Sequence, residues 1–156
     1  MALIRGFCES STGQALGARP LDIAYERLPA PHEQPSALRT NCGAVYVFRI
    51  PDVASVPEAG RTLKVGMAGP NTQNRFTYQH YKPGSALSTL AASILADESG
   101  WESLGIPHVT ASNVGTWMKR VLERHHFFVA ADRRSLLEPL ESYLQLLLKP
   151  RYEARR

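Results

Sequence analysis

The sequence predicts an α+β domain in which a small three-stranded antiparallel sheet is flanked by helices. Three segments are rich in β-branched and aromatic residues, as strands are, and they lie at 44–50, 62–67 and 126–130. Four segments carry helical periodicity or capping signals and lie at 71–82, 85–96, 114–122 and 135–148. A few strands combined with several helices indicate the α+β class.

The first two strands are expected to pair as an antiparallel hairpin. The first, 44–50, ends at Pro51, which has no backbone N–H to continue a ladder. Residues 51–60 contain Gly60 and two prolines, so the loop is predicted to be longer than the usual two to five residues.

Residues 1–40 show weak periodicity and contain several helix and strand breakers. The breakers are Gly13, Gly17, Pro20, Pro29, Pro31 and Pro35. We therefore predict an N-terminal arm or poorly regular lead-in over 1–40, and one domain over 41–156.

Composition is that of an ordinary globular chain. The hydrophobic fraction is 44%, and no stretch approaches the 18 apolar residues of a membrane span. The first residues do not resemble a secretory signal, so we expect a cytoplasmic protein, with signal-independent secretion left open. Cys8 and Cys42 form no CxxC pair and are interpreted as reduced structural thiols.

The basic charge balance fits a polyanionic partner. The net charge is +4 and the pI is about 9.3. Two clusters stand out, and the residues that we single out as candidate nucleic-acid contacts are Lys119, Arg120, Arg124, Lys149 and Arg151. A solvated surface explains either cluster equally well.

Glu141 occupies an unusual place in the last predicted helix. The apolar stripe of that helix consists of Leu137, Leu140, Leu144, Leu147 and Leu148, and Glu141 lies at its edge. A carboxylate at the rim of a core is costly unless a cation or a metal pairs with it. The alternative is a partly exposed glutamate in a salt bridge.

A second cluster of interest lies in the segment 71–82, which carries Arg75, Tyr78 and His80. Arginine suits two-pronged binding of a phosphate. A solvated arginine and a packed or surface histidine are the alternatives.

The order of these motifs resembles the GIY-YIG nuclease family. The order is Gly43-Ala44-Val45-Tyr46, then Lys64-Val65-Gly66, then Arg75, and finally Glu141 followed by Pro150. The finer patterns Leu63–Pro70, Arg75-Phe76 and Val114–Trp117 resemble a bacterial and phage branch. Four positions depart from the family: Ala44 replaces the usual Gly, Lys64 replaces the second Tyr, Met67 replaces a common Lys, and Glu153 replaces a frequent Asn.

The resemblance implies an endonuclease that hydrolyses DNA phosphodiester bonds with Mg²⁺ or Mn²⁺. It implies Glu141 as the metal ligand and Arg75 as the group that counters charge on the phosphate. Because Lys64 replaces a Tyr, the general base stays open, and the candidates in order are Tyr46, His80 and Lys64. We expect all five side chains to converge on one concave surface.

Two other functions fit the same residues. A nucleic-acid-binding module on the same fold without catalysis is favoured by the altered second motif. A structural or interaction domain with a chance match is the third interpretation. The biological role, whether repair, restriction, mobile element, phage metabolism or toxin, is left open by the sequence, as is the choice between DNA and RNA.

Overall fold

The computed structural model describes residues 1–52, 58–86, 89–101 and 109–152. Its fold is α+β, and one antiparallel sheet has four strands in the order β1-β4-β2-β3. The strands are β1 (Ile23–Leu28), β2 (Cys42–Arg49), β3 (Thr62–Ala68) and β4 (Glu123–Ala130). The prediction of a three-stranded sheet is therefore wrong by one strand.

The additional strand lies within the predicted N-terminal arm. β1 pairs with β4 along its whole length, from Ile23 opposite Val129 to Leu28 opposite Arg124. The interpretation of this segment as irregular was wrong because Glu26 and Arg27 interrupt the apolar residues of β1. As an edge strand, it places Glu26 and Arg27 opposite two histidines of β4, so its stability comes from cross-strand pairs rather than from an apolar run.

Eight α-helices occur in the described residues. They are α1 (Ala2–Glu9), α2 (Ser11–Ala15), α3 (Glu58–Arg61), α4 (Gln73–Thr77), α5 (Leu90–Ala96), α6 (Glu98–Trp101), α7 (Val114–Val121) and α8 (Leu137–Leu148). Short 3₁₀ turns at Pro20–Asp22, Pro70–Thr72, Gln79–Tyr81 and Ala131–Leu136 connect them to their neighbours. None of these helices is both long and apolar enough to cross a membrane.

Two predicted helices are shorter than expected. The helix predicted over 85–96 begins at Leu90, because the Thr89 side chain accepts a hydrogen bond from the backbone N–H of Ala92 and caps it there. The helix predicted over 71–82 is divided into a 3₁₀ turn, α4 and a second 3₁₀ turn. Glu153, one of the four positions that depart from the family pattern, lies outside the described residues.

Both faces of the sheet are covered, which explains why β2 is buried almost throughout. On one face, Val45 and Val47 pack with α1 and α8. On the other face, Tyr46 and Phe48 pack with residues of α4, α5 and α7. The strand that carries Tyr46 is therefore held from both sides.

The chain after α8 returns to the edge of the sheet. Lys149 ends the helix in the left-handed conformation, with φ of 46°. The backbone N–H groups of Arg151 and Tyr152 then donate to the carbonyls of Thr62 and Leu63, at 3.0 and 2.9 Å. These bonds anchor the end of α8 beside β3, the strand that carries Lys64.

Candidate active site

One open cavity of about 440 Å³ lies beside β3. The residues that line it come from β2, β3, α4, the 3₁₀ turn Gln79–Tyr81 and α8. They are Tyr46, Lys64, Val65, Gly66, Met67, Arg75, His80, Glu138, Glu141 and Gln145. The structure thus brings all five candidate catalytic residues to one concave surface. Residues that are 95 positions apart in sequence, Tyr46 and Glu141, meet there because β2 and α8 both pack near the β3 edge.

Gly66 gives the phenol of Tyr46 access to this cavity. Tyr46 and Gly66 are directly paired across β2 and β3. A Cβ atom on Gly66 would lie 2.7 Å from the Tyr46 hydroxyl and 2.8 Å from its ring. Since real Cβ atoms do not approach so closely, only glycine lets the Tyr46 side chain cross β3 at this point.

Substitution Gly66→Ala is expected to displace Tyr46 and to destabilise the protein by about 1–3 kcal/mol, as overpacking of a core does. Thermal unfolding and the tyrosine signals of an NMR spectrum measure both effects. Gly69→Ala is the matched control, because its Cβ would meet only Arg134 Nη2 at an ordinary 3.5 Å. Equal unfolding temperatures for the two variants would contradict the proposed role of Gly66.

A hydrogen-bond chain fixes the orientation of His80. The backbone N–H of Leu90 donates to Nδ1 of His80 at 3.2 Å, and Nε2 lies 2.7 Å from the Tyr46 hydroxyl oxygen. A neutral imidazole has one N–H, and Nδ1 is already an acceptor, so the proton is on Nε2. His80 therefore donates to Tyr46 and has no lone pair left to accept a proton.

The electrostatic environment keeps His80 neutral. Burial, followed by the positive charges of Lys64, Arg124 and Arg75, lowers the pKa of His80 to about 3. An imidazole with this pKa does not titrate between pH 5 and 9. His80 thus has the properties of a hydrogen-bond donor rather than of a general base.

Burial shifts the other two candidate bases in opposite directions. It raises the pKa of Tyr46 to about 12, although Arg124 and Arg75 act against this rise. It lowers the pKa of Lys64 below the usual 10.5, an effect that Arg75 strengthens and Glu141 opposes. As the pH rises, Lys64 therefore loses its proton before Tyr46 does.

Arg124 was predicted to be a surface contact for nucleic acid, and this prediction is wrong. It is the largest fully buried side chain among the residues that the structure describes. Its guanidinium lies 4.7–6.0 Å from the ring centres of Phe76, Phe48, Tyr46 and Tyr81. It donates to the carbonyl of Phe76 at 2.5 Å and to the Tyr81 hydroxyl at 3.3 Å. The prediction failed because β4 begins at Glu123, so strand alternation turns Arg124 into the core.

The other predicted nucleic-acid contacts lie on the surface and outside the cavity. Arg120 and Lys149 are exposed. Lys119 pairs with Glu33 at 3.1 Å, and Arg151 pairs with Asp97 at 2.7 Å. The structure therefore does not gather these cations next to Glu141.

Two residues of α8 that were not singled out from the sequence also line the cavity. Glu138 and Gln145 stand three positions before and four positions after Glu141, so all three project from one side of the helix. This spacing was visible in the sequence. Neither residue belongs to the leucine stripe that marks the core-facing side of α8.

The acidic side of the cavity fits a small hard cation. Within the described part of the chain, no group of three or more His, Cys, Asp or Glu residues is placed to hold a metal ion. Mg²⁺ and similar ions bind through one or two carboxylates and keep waters and phosphate oxygens as their other ligands. Glu141, with Glu138 beside it in an open cavity, meets that requirement.

Comparisons with known protein families, with curated proteins and with solved structures find no match to this chain.

Proposed function

We propose that this protein is a metal-dependent endonuclease of the GIY-YIG type that hydrolyses phosphodiester bonds in DNA. The observation that supports this proposal is the shared cavity of Tyr46, Lys64, Arg75, His80 and Glu141. These residues combine a carboxylate for a cation, a guanidinium for a phosphate and candidate acid–base groups in one place, as phosphodiester hydrolysis requires.

Arg75 and Glu141 divide the binding of the scissile group between them. Arg75 is exposed on α4 at the edge of the cavity, where its guanidinium can grip two phosphate oxygens. Glu141 would hold Mg²⁺ or Mn²⁺, which would supply positive charge to polarise the phosphate and stabilise the leaving oxygen. The positive charge of Arg75 counters the negative charge that develops on the phosphate in the transition state.

Lys64 takes the proton of the attacking water in this proposal, ahead of Tyr46. Its amine is the more easily formed base because burial lowers the pKa of Lys64 and raises that of Tyr46. Tyr46, which receives the hydrogen bond from His80, then orients the water through its own hydroxyl. The replacement of the family's second Tyr by Lys64 thus changes the identity of the base.

The cleavage rate should show no change with pH that follows the titration of a histidine. Since the pKa of His80 is lowered to about 3, this residue stays neutral from pH 5 to 9, and its titration cannot shape the rate. We expect His80→Gln, whose amide can still donate to Tyr46, to keep the shape of the pH–rate curve and to lose less than about tenfold in rate. Loss of a limb at pH 6–7 in this variant would instead identify His80 as the base.

A magnesium titration of cleavage on plasmid and branched DNA tests the proposed function. The proposal predicts that cleavage depends on Mg²⁺ or Mn²⁺ and stops with a chelator. DNA binding that weakens with salt but leads to no cleavage at any metal concentration would favour the binding-module alternative. Failure to bind or to cut either DNA would reject both.

A further inference from the structure

A second array of polar side chains lies across β1 and β4, away from the cavity. The Tyr25 hydroxyl lies 2.7 Å from Nδ1 of His125, and Nε2 of His125 lies 3.0 Å from a carboxylate oxygen of Glu123. Arg27 donates to the other oxygen of Glu123 through Nε at 2.9 Å and Nη2 at 2.5 Å. Tyr25, His125 and Glu123 thus form a continuous chain of hydrogen bonds.

The direction of each hydrogen bond in this chain is determined by Glu123. Burial disfavours the carboxylate, but hydrogen bonds from His125 and Arg27 outweigh burial and lower the pKa of Glu123. An ionised carboxylate only accepts, so Nε2 of His125 carries the proton. Burial also lowers the pKa of His125, which leaves Nδ1 as an unprotonated acceptor for the Tyr25 O–H.

The hydrogen bond between Tyr25 and His125 runs in the opposite direction to the one between Tyr46 and His80. His80 donates a hydrogen bond to the Tyr46 oxygen, whereas Nδ1 of His125 accepts one from the Tyr25 hydroxyl. Glu123, bound to Nε2 of His125, would stabilise an imidazolium there. Nucleophile, base and orienting carboxylate in this order form the arrangement that activates hydroxyl nucleophiles.

The surroundings of Tyr25 suit an anionic reaction partner. Tyr25 is 37% exposed, so a small molecule can reach it. Burial raises the pKa of Tyr25, whereas the positive charges of Arg27 on β1 and Arg49 on β2 act against this rise. Arg27 is paired with Glu123, and Arg49 lies 3.3 Å from a carboxylate oxygen of Asp52. An anionic electrophile at Tyr25 would share these two guanidinium groups with the carboxylates that already bind them.

We propose that Tyr25 is a nucleophilic site separate from the cavity, a phenol activated by His125 that accepts a phosphoryl-type group from an anionic electrophile with a good leaving group, such as a phosphoanhydride. The Tyr25 oxygen forms a bond to phosphorus while the bond from phosphorus to the leaving phosphate or carboxylate breaks. The leaving group departs as an anion with the bonding electron pair. The phenol proton passes to Nδ1 of His125 and then to solvent.

An anionic sulfonyl fluoride, 4-(fluorosulfonyl)benzoate, is the probe for this site. In its reaction the Tyr25 oxygen bonds to sulfur, the S–F bond breaks, fluoride leaves and the proton goes to His125. Labelling rates at each tyrosine are measured by peptide mass spectrometry on the intact, folded protein. We expect Tyr25 to react faster than Tyr78 and Tyr143, and His125→Phe to slow Tyr25 by about 10², the usual contribution of a general base.

Two further variants keep the test decisive if His125→Phe disturbs the fold. Arg49→Gln should slow the anionic probe at Tyr25 but leave the uncharged amide analogue of the probe unaffected. Tyr25→Phe should remove the fast label without changing the rates at Tyr78 and Tyr143. Labelling of wild-type Tyr25 no faster than Tyr78 and Tyr143, or equal rates in wild type and a folded His125→Phe protein, would overturn the proposal.

Discussion

The Glu141→Gln protein is expected to cleave DNA about 10²–10³ times more slowly than wild type at saturating Mg²⁺, because a preorganised electrostatic group is lost. Glutamine keeps the volume of the side chain and lacks the negative charge that holds a hard cation. Glu141 is only partly buried, beside the leucine stripe of α8, so we expect the fold to be retained. The measurement is the initial rate of plasmid nicking over a range of Mg²⁺ concentrations.

Glu138→Gln is the matched control for this substitution. Glu138 lines the same cavity, one helical turn earlier on α8, and is exposed. If Glu141 alone holds the cation, the control keeps most of the wild-type rate and shifts the Mg²⁺ dependence only slightly. A folded Glu141→Gln protein with the wild-type rate would eliminate the proposed site, and equal losses in both variants would show that the two carboxylates act together.

Replacement of Lys64 is expected to have the second large effect. Lys64→Arg keeps the positive charge, but a guanidinium does not lose its proton in proteins, so it cannot act as a base. Lys64→Met removes the charge as well. If Lys64 takes the proton from water, both variants lose about 10²–10⁴ in rate, the range that general-base catalysis supplies.

The pH dependence of the cleavage rate tests the role of Lys64 as the base independently. Burial lowers the pKa of Lys64, so the fraction of neutral amine, and with it the wild-type rate, should increase toward pH 9. That increase should be absent from the Lys64→Arg and Lys64→Met proteins. A Lys64→Arg protein that keeps its rate, together with a large loss in Tyr46→Phe, would assign the base to Tyr46 and only a charge to Lys64.

Local pattern was sufficient to predict most of the elements of this fold. β2 and β3 have the β-branched and aromatic composition of buried strands, and both were predicted within a few residues of their ends. The leucine stripe likewise predicted α8, and Leu137, Leu140 and Leu144 are buried as expected, whereas Leu147 is 51% exposed. Edge strand β1 was missed because its polar residues are stabilised by partners about 100 positions away, and such partners leave no local periodicity.

The sequence by itself determined the α+β class, the α8 helix and the identity of the residues that carry charge or titrate near the cavity. Only the tertiary structure decided what those residues can do, because pKa and proton position depend on neighbours distant in sequence. Leu90 determines the tautomer of His80, and burial separates the pKa of Lys64 from that of Tyr46. Strand alternation in β4 turns Arg124 away from solvent and into a box of four aromatic rings, a position that no local pattern of charge indicated.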